Sequence, residues 1–74
     1  MPRYFFDLDD GERVTADREG SELADVSAAR SQALHMLGEI AKAEMRDANR
    51  SQERVHIRDE AGKTVLTVAL FAHD

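Results

Sequence analysis

From Val26 the apolar residues recur at helical spacing through Ala29, Ala33, Leu37, Ile40, Ala41 and Ala48, flanked by Leu34 and Met45. Gln32, His35, Glu39, Lys42 and Arg46 fall on the opposite side. The pattern predicts an amphipathic helix over about 26–48, and this constrains everything else. A helix offers one apolar stripe, so it covers one face of whatever sheet the remaining residues build. Much of that stripe is alanine, which lets the helix lie close to a sheet. Asp25 stands where an N-cap belongs. Gly38 costs about 1 kcal/mol against alanine if exposed; a close contact and a tolerated surface glycine are both open readings.

The segments on either side of the helix have strand character. Residues 3–8 are dense in aromatic strand formers, and residues 12–16 are expected to return against them. A three-residue loop, Asp9-Asp10-Gly11, sets Leu8 opposite Glu12, Phe6 opposite Val14 and Tyr4 opposite Ala16, which gathers the apolar residues on one face. A two-residue turn would scatter them. The three-residue loop also puts Gly11 at the left-handed position that such loops require. The acids of this bend invite comparison with a calcium loop, but counting from Asp7 puts Gly11 at position 5 and Arg18 at position 12. An EF-hand needs glycine at 6 and glutamate at 12. A solvated turn is the expectation, with the glycine-bearing stretch Asp17 to Leu23 following as a loop.

After the helix, residues 54–59 alternate: Val55 and Ile57 inward, Arg54, His56 and Arg58 outward. Residues 64–71 are apolar almost throughout. A four-residue loop from Asp59 to Gly62 gathers Leu66, Val68 and Leu70 with Val55 and Ile57; a three-residue loop from Glu60 selects Val65, Thr67, Ala69 and Phe71 instead. The first set has the more uniformly apolar side chains and is favoured. The expected architecture is a single α+β domain over residues 1–74, a two-layer hairpin–helix–hairpin (ββαββ) sandwich with one helix on a four-stranded sheet.

The uncovered face would carry Phe5, Val65, Ala69 and Phe71 beside Asp7, Thr15 and His56. Apolar surface of this kind commonly marks an interaction site, and the commonest closed assembly is a two-fold homodimer. Phe5, Val65, Ala69 and Phe71 are therefore the candidate interface. A chain of 74 residues sits near the lower limit for a self-sufficient core, where a disulfide, metal or partner subunit usually helps. With no cysteine, disulfides and thiolate zinc sites are excluded, and a reducing, cytoplasmic setting is expected. MPRYFFDLDD lacks the apolar run of a signal peptide, and no stretch is long enough to span a bilayer.

Charge is unevenly placed. Through Asp25 the chain has eight acids and three arginines, and from Val26 onward seven acids balance seven bases. Overall acidity argues against general affinity for nucleic acid. The exception is the outward row Arg54, His56 and Arg58, with Arg46 and Arg50 before it. It serves as a solubilising row, as a contact for an acidic partner, or, in the alternative reading, as the nucleic-acid contact of an antitoxin-like regulatory module. Asp7, Asp9 and Glu12 of a second copy would complement it. His35, His56 and His73 share no metal-ligand spacing, the serines have no nucleophile-elbow context, and no phosphate-binding glycine motif occurs. Neither enzyme activity, a cofactor, a metal nor a small-molecule substrate is expected.

Met-Pro-Arg-Tyr-Phe-Phe, Asp10-Gly11, Asp17-x-x-Gly20-x-Glu22-Leu23, Asp25 with Ala28-Ala29-Arg30 and Ala33, and Asp59-Glu60-x-Gly62 together resemble a domain-of-unknown-function family of short proteins common in rhizobia and related alphaproteobacteria. The resemblance runs nearly end to end. Members often have histidine where this chain has Asp7, and many carry a tryptophan before the third strand, which is missing here, so a role for those residues does not carry over. The family implies no reaction, ligand or catalytic residue.

Overall fold

The computed structural model describes residues 1–44 and 52–71. Within them the order is β1 (Arg3–Asp9), β2 (Val14–Thr15), β3 (Ser21–Glu22), α1 (Val26–Glu44), β4 (Gln52–Arg58) and β5 (Thr64–Phe71). It is an α+β fold, one helix on an antiparallel sheet. The sheet runs β2-β1-β4-β5, and β3 shares with β2 the outer side of β1. The expected four strands are thus five; the segment assigned to a loop contributes β3, pairing Arg3 with Glu22 and Tyr4 with Ser21.

Tyr4, Phe6, Ala29, Ala33, Leu37, Val55 and Ile57 form the buried core. Ala29 and Ala33 bring α1 against β4 and β5, as the small side chains of the stripe suggest. Asp25 caps the helix, its Oδ1 accepting the Ala28 N–H at 2.9 Å. The stripe is rotated from the expected one: Met36 packs against the core while Leu34 is 44% exposed. Gly38 is a surface glycine, with nothing within 4 Å of where a Cβ would stand. Met45, Arg46, Ala48, Arg50 and His73 lie outside the described residues.

Both hairpins differ from expectation in their turns. In the first, Leu8 pairs with Thr15 and Asp9 with Val14, so neither considered register holds. Val14 and Ala16 are exposed, not gathered with Tyr4, Phe6 and Leu8. The cause is the wiring of the bend. Asp9 Oδ1 accepts the Gly11 N–H at 2.8 Å, and Asp10 Oδ1 accepts the Glu12 and Arg13 N–H groups, both at 2.9 Å. Residues 10–13 are thereby held in a loop, which leaves only two residues to pair. Gly11 does take a left-handed conformation, φ 95°.

The second hairpin takes the turn of one considered register and the inward-facing set of the other, but its pairing beyond the turn matches neither. Its turn is the short one, with the Asp59 N–H donating to Lys63 O at 2.9 Å and Arg58 opposite Thr64. A β-bulge then shifts the register, so that Ile57 pairs with Leu66 and Val55 with Val68. One extra residue in a strand reverses which side chains face the core. Leu66, Val68 and Leu70 consequently join Val55 and Ile57, as expected, and Val65 at the bulge also packs against the core.

Candidate functional site

The face that α1 leaves uncovered is ionic at its centre. Strand alternation puts Phe5, Asp7 and Asp9 of β1 on it, and the ladder sets them beside Arg58, His56 and Arg54 of β4 in that order. Acids of one strand therefore meet bases of the next within a single chain. For Asp7 and Asp9 the complementarity anticipated between two copies is met here in cis, while Glu12 lies in the exposed first turn.

Arg58 is the most engaged residue of the row. Its Nε donates to Asp7 Oδ2 at 2.5 Å, and one terminal nitrogen donates to Asp7 Oδ1 and to the Asp17 carbonyl, both at 3.1 Å. Its guanidinium also lies 5.0 Å from the Phe5 ring centroid, within cation–π range. Asp7 is only 8% exposed. The Arg58 hydrogen bond lowers its pKa, against burial and aided by the Asp17 N–H. The same bond raises the pKa of Arg58. Such a fork between guanidinium and carboxylate is strong because it is bidentate and charge-assisted.

His56 bridges three strands. Its Nε2 lies 3.1 Å from Asp9 Oδ2 and its Nδ1 3.0 Å from Thr67 Oγ1. The hydrogen bond from His56 holds the Asp9 carboxyl below its ordinary pKa, with a further contribution from the Gly11 N–H. A hydroxyl, an imidazole and a carboxylate in series have the order of a nucleophilic triad. Here they run across three neighbouring strands, and a groove among the described residues opens on the other face of the sheet. That groove has a volume of about 360 Å³ and runs between Phe6 and Leu8 of β1, Ala16 and Asp17 of the following loop, and Gln32 and Met36 of α1. The His56 series is best understood as a cross-strand tie.

Asp17, expected only as part of a loop and of a family motif, organises one whole edge. The outer side of β1 pairs with β3 at Arg3 and Tyr4 and with β2 at Leu8 and Asp9. Between them the Phe6 N–H is taken by Asp17 Oδ2 at 3.1 Å, while Asp17 Oδ1 accepts the Glu19 and Gly20 N–H groups at 3.1 and 3.2 Å. Burial pushes the Asp17 carboxyl up, but these three backbone donors outweigh it and leave its pKa lowered. The signal was present as Asp17-x-x-Gly20, an Asx-type turn spacing. Gly20 is required there. Its φ is 73°, and a Cβ would stand 2.9 Å from Arg3 Cγ, Phe5 Cε2 and the Tyr4 carbonyl oxygen.

The residues proposed as an apolar interface are thus dispersed. Phe5 is half-buried beneath Arg58 and against Gly20. Val65 packs on the core rather than on the open face, because the bulge displaces it. Ala69 is exposed, and the side chain of Phe71 lies outside the described residues. In the polar row Arg58 and His56 are tied to Asp7 and Asp9, and Arg54 also has an interaction partner. His35 is exposed on α1. Among the described residues no cluster of three or more His, Cys, Asp or Glu side chains could hold a metal ion, and no described helix is long and apolar enough to cross a membrane.

No curated protein and no solved structure matches the chain. A family model does, over residues 3–72. It spans β1 through β5 and includes the Asp17-x-x-Gly20 turn as well as the Asp7–Arg58 and Asp9–His56 ties. The chain belongs to this family, described as a domain of unknown function (DUF6894).

Proposed function

We propose that the chain is a small non-enzymatic protein–protein interaction module that works as a homodimer. One observation carries the reading: β5 ends the sheet, and the outer side of this eight-residue strand pairs with no other described strand. Leu66, Val68 and Leu70 turn toward the helix yet remain only partly buried, so the core is unfinished on that side. A partner subunit supplies what a cysteine-free chain of 74 residues lacks in core size. The absence of cysteine also suits a cytoplasmic setting.

The open face supports this contact less well than the edge does, because Phe5 is covered by Arg58 and Val65 packs inward. The antitoxin-like alternative relies on Arg54 and Arg58 for phosphate contact. Against it stands the engagement of Arg58 by Asp7, Asp17 and Phe5.

Sedimentation from about 1 to about 100 µM tests the reading, a range that brackets ordinary homodimer affinities. The mass should rise to that of two chains within it; the mass of one chain throughout overturns the proposal. Retention of DNA or RNA that weakens as salt rises would favour the alternative instead.

A further inference from the structure

The backbone of β5 shows which groups its outer side offers. The Phe6 N–H points away from β4, since Asp17 takes it. Backbone groups of successive strand residues alternate in direction. Phe5, Asp7 and Asp9 of β1 therefore turn toward β4, where Arg58, His56 and Arg54 turn to meet them. Val55 and Ile57 then turn toward β5, and the Asp59 N–H bonded to Lys63 O on the same side gives the same result independently. Val68, opposite Val55, and Leu66, opposite Ile57, spend their backbone groups on β4. Those of Thr67 and Ala69 point outward.

Natural edge strands are blunted by charges, prolines, bulges or short length. β5 is TVLTVALF, eight residues without a charge or a proline. Its bulge lies beside the turn at Val65 and leaves the ladder regular from Leu66 to Phe71. An uncharged strand pairing antiparallel with itself sets no like charges opposite one another, which an edge carrying lysine or glutamate would do.

We infer that β5 is the homodimer contact, pairing antiparallel with β5 of a second copy about a two-fold axis at Val68. This rests on the homodimer reading and adds its surface and register. Thr67 exchanges both backbone hydrogen bonds with Ala69 of the second copy, and Ala69 with its Thr67. On the helix side Leu66 meets Leu70 of the second copy and the two Val68 side chains meet each other. The three partly buried residues of β5 are thereby covered. The axis is perpendicular to the sheet, so both helices lie on the same face of one continuous sheet.

The helix surface agrees. Gln32 and Met36 line the groove on the β1 side. Leu34, two residues beyond Gln32 and so roughly 200° around the helix, lies on the flank toward β5. It is 44% exposed, on the side where the helix of the second copy would lie.

The chain has no cysteine, which makes a single Val68→Cys substitution a clean probe. A residue on the axis of an antiparallel pair that does not hydrogen-bond across it lies about 4.5 Å from its mate between Cα atoms, at the short end of the range a disulfide spans. Under mild oxidation at a concentration where the unmodified chain is dimeric, V68C should cross-link roughly tenfold faster than V14C. Val14 is exposed on the opposite edge. Ala69→Pro removes one outward N–H without touching the β4 ladder, a change that edge strands tolerate. It should return the chain to single-chain mass with its circular dichroism unchanged. If the unmodified chain sediments as a dimer while V68C cross-links no faster than V14C, or A69P stays dimeric, the edge assignment falls and the homodimer reading stands. If the unmodified chain is monomeric at every concentration, both fall.

Discussion

The two edges of this sheet are built in opposite ways. On the β1 side the chain closes its own edge. Two-residue strands pair at either end, and a single carboxylate, Asp17, fills the gap between them while holding the loop that carries it. On the β5 side eight uncharged residues run to the end of the sheet with no such device among the described residues. Edge protection is ordinary in monomeric β proteins, and among the described residues only the β1 edge has it; the proposed pairing of β5 rests on that contrast. The same contrast separates the faces. The helix side is mostly apolar, with Glu53 the buried charge of β4 on it, whereas the open face is bound by ion pairs and hydrogen bonds between β1 and β4.

The sharpest way to break the closed edge is at Gly20. Gly20→Val forces a branched side chain into a left-handed position already crowded by Arg3, Phe5 and the Tyr4 carbonyl. Urea denaturation should show a loss of roughly 3 kcal/mol or more. A neutral result would mean that the Asp17 loop does not hold the edge. Asp17→Ala orphans the Phe6, Glu19 and Gly20 N–H groups and should remove about 2 kcal/mol. It should also leave the oligomeric mass unchanged, since it acts on the opposite edge.

Acid tests the open face. Asp7, Asp9 and Asp17 all have pKa values below the ordinary carboxylate value of 3.8 in the folded chain. A depressed folded-state pKa gives stability that is fully present above the unfolded value and lost as pH falls through the folded one. The Tm should therefore hold from neutrality to about pH 4 and decline below it. Asp7→Asn should lower Tm at pH 7 and flatten that decline, because the charge-assisted fork to Arg58 is gone. An unchanged acid profile would show that the Asp7–Arg58 pair does not contribute to stability.

Two milder substitutions sharpen the contrast on the helix. Leu34→Glu should weaken dimerisation by roughly tenfold, about 1.4 kcal/mol, without altering the stability of the monomer, as read by sedimentation and urea curves together. Gly38→Ala, where a Cβ meets nothing within 4 Å, should stabilise the fold by about 0.5–1 kcal/mol and leave association unchanged.

The helix, its cap and the inward set Tyr4, Phe6, Ala29, Ala33, Leu37, Val55 and Ile57 were legible in the sequence, because burial imposes a period that neighbouring residues share. Turn wiring was not. Asp9 and Asp10 bond their own backbone and lengthen the first loop, a local choice with no effect on periodicity. The bulge at Val65 was invisible for a related reason: strict alternation assumes an unbroken ladder, whereas the strand leaves the short-turn register at Val65 for one that neither loop length gives. The outward row Arg54, His56 and Arg58 is legible in the alternation of β4, but its partners are not. Asp7 and Asp9 lie about fifty positions away in the chain, and only the β1–β4 pairing brings them across. β3 was hidden by brevity, since two residues of strand carry no alternation.

Amide hydrogen exchange at Thr67 and Ala69, followed by NMR as protein concentration is raised through the association range, tests the bare edge most directly. Both N–H groups should exchange rapidly when the chain is dilute and become protected as it associates, while the Phe6 N–H held by Asp17 is protected throughout. Thr67 and Ala69 amides that exchange equally fast in the monomer and in a sedimenting dimer would contradict the account.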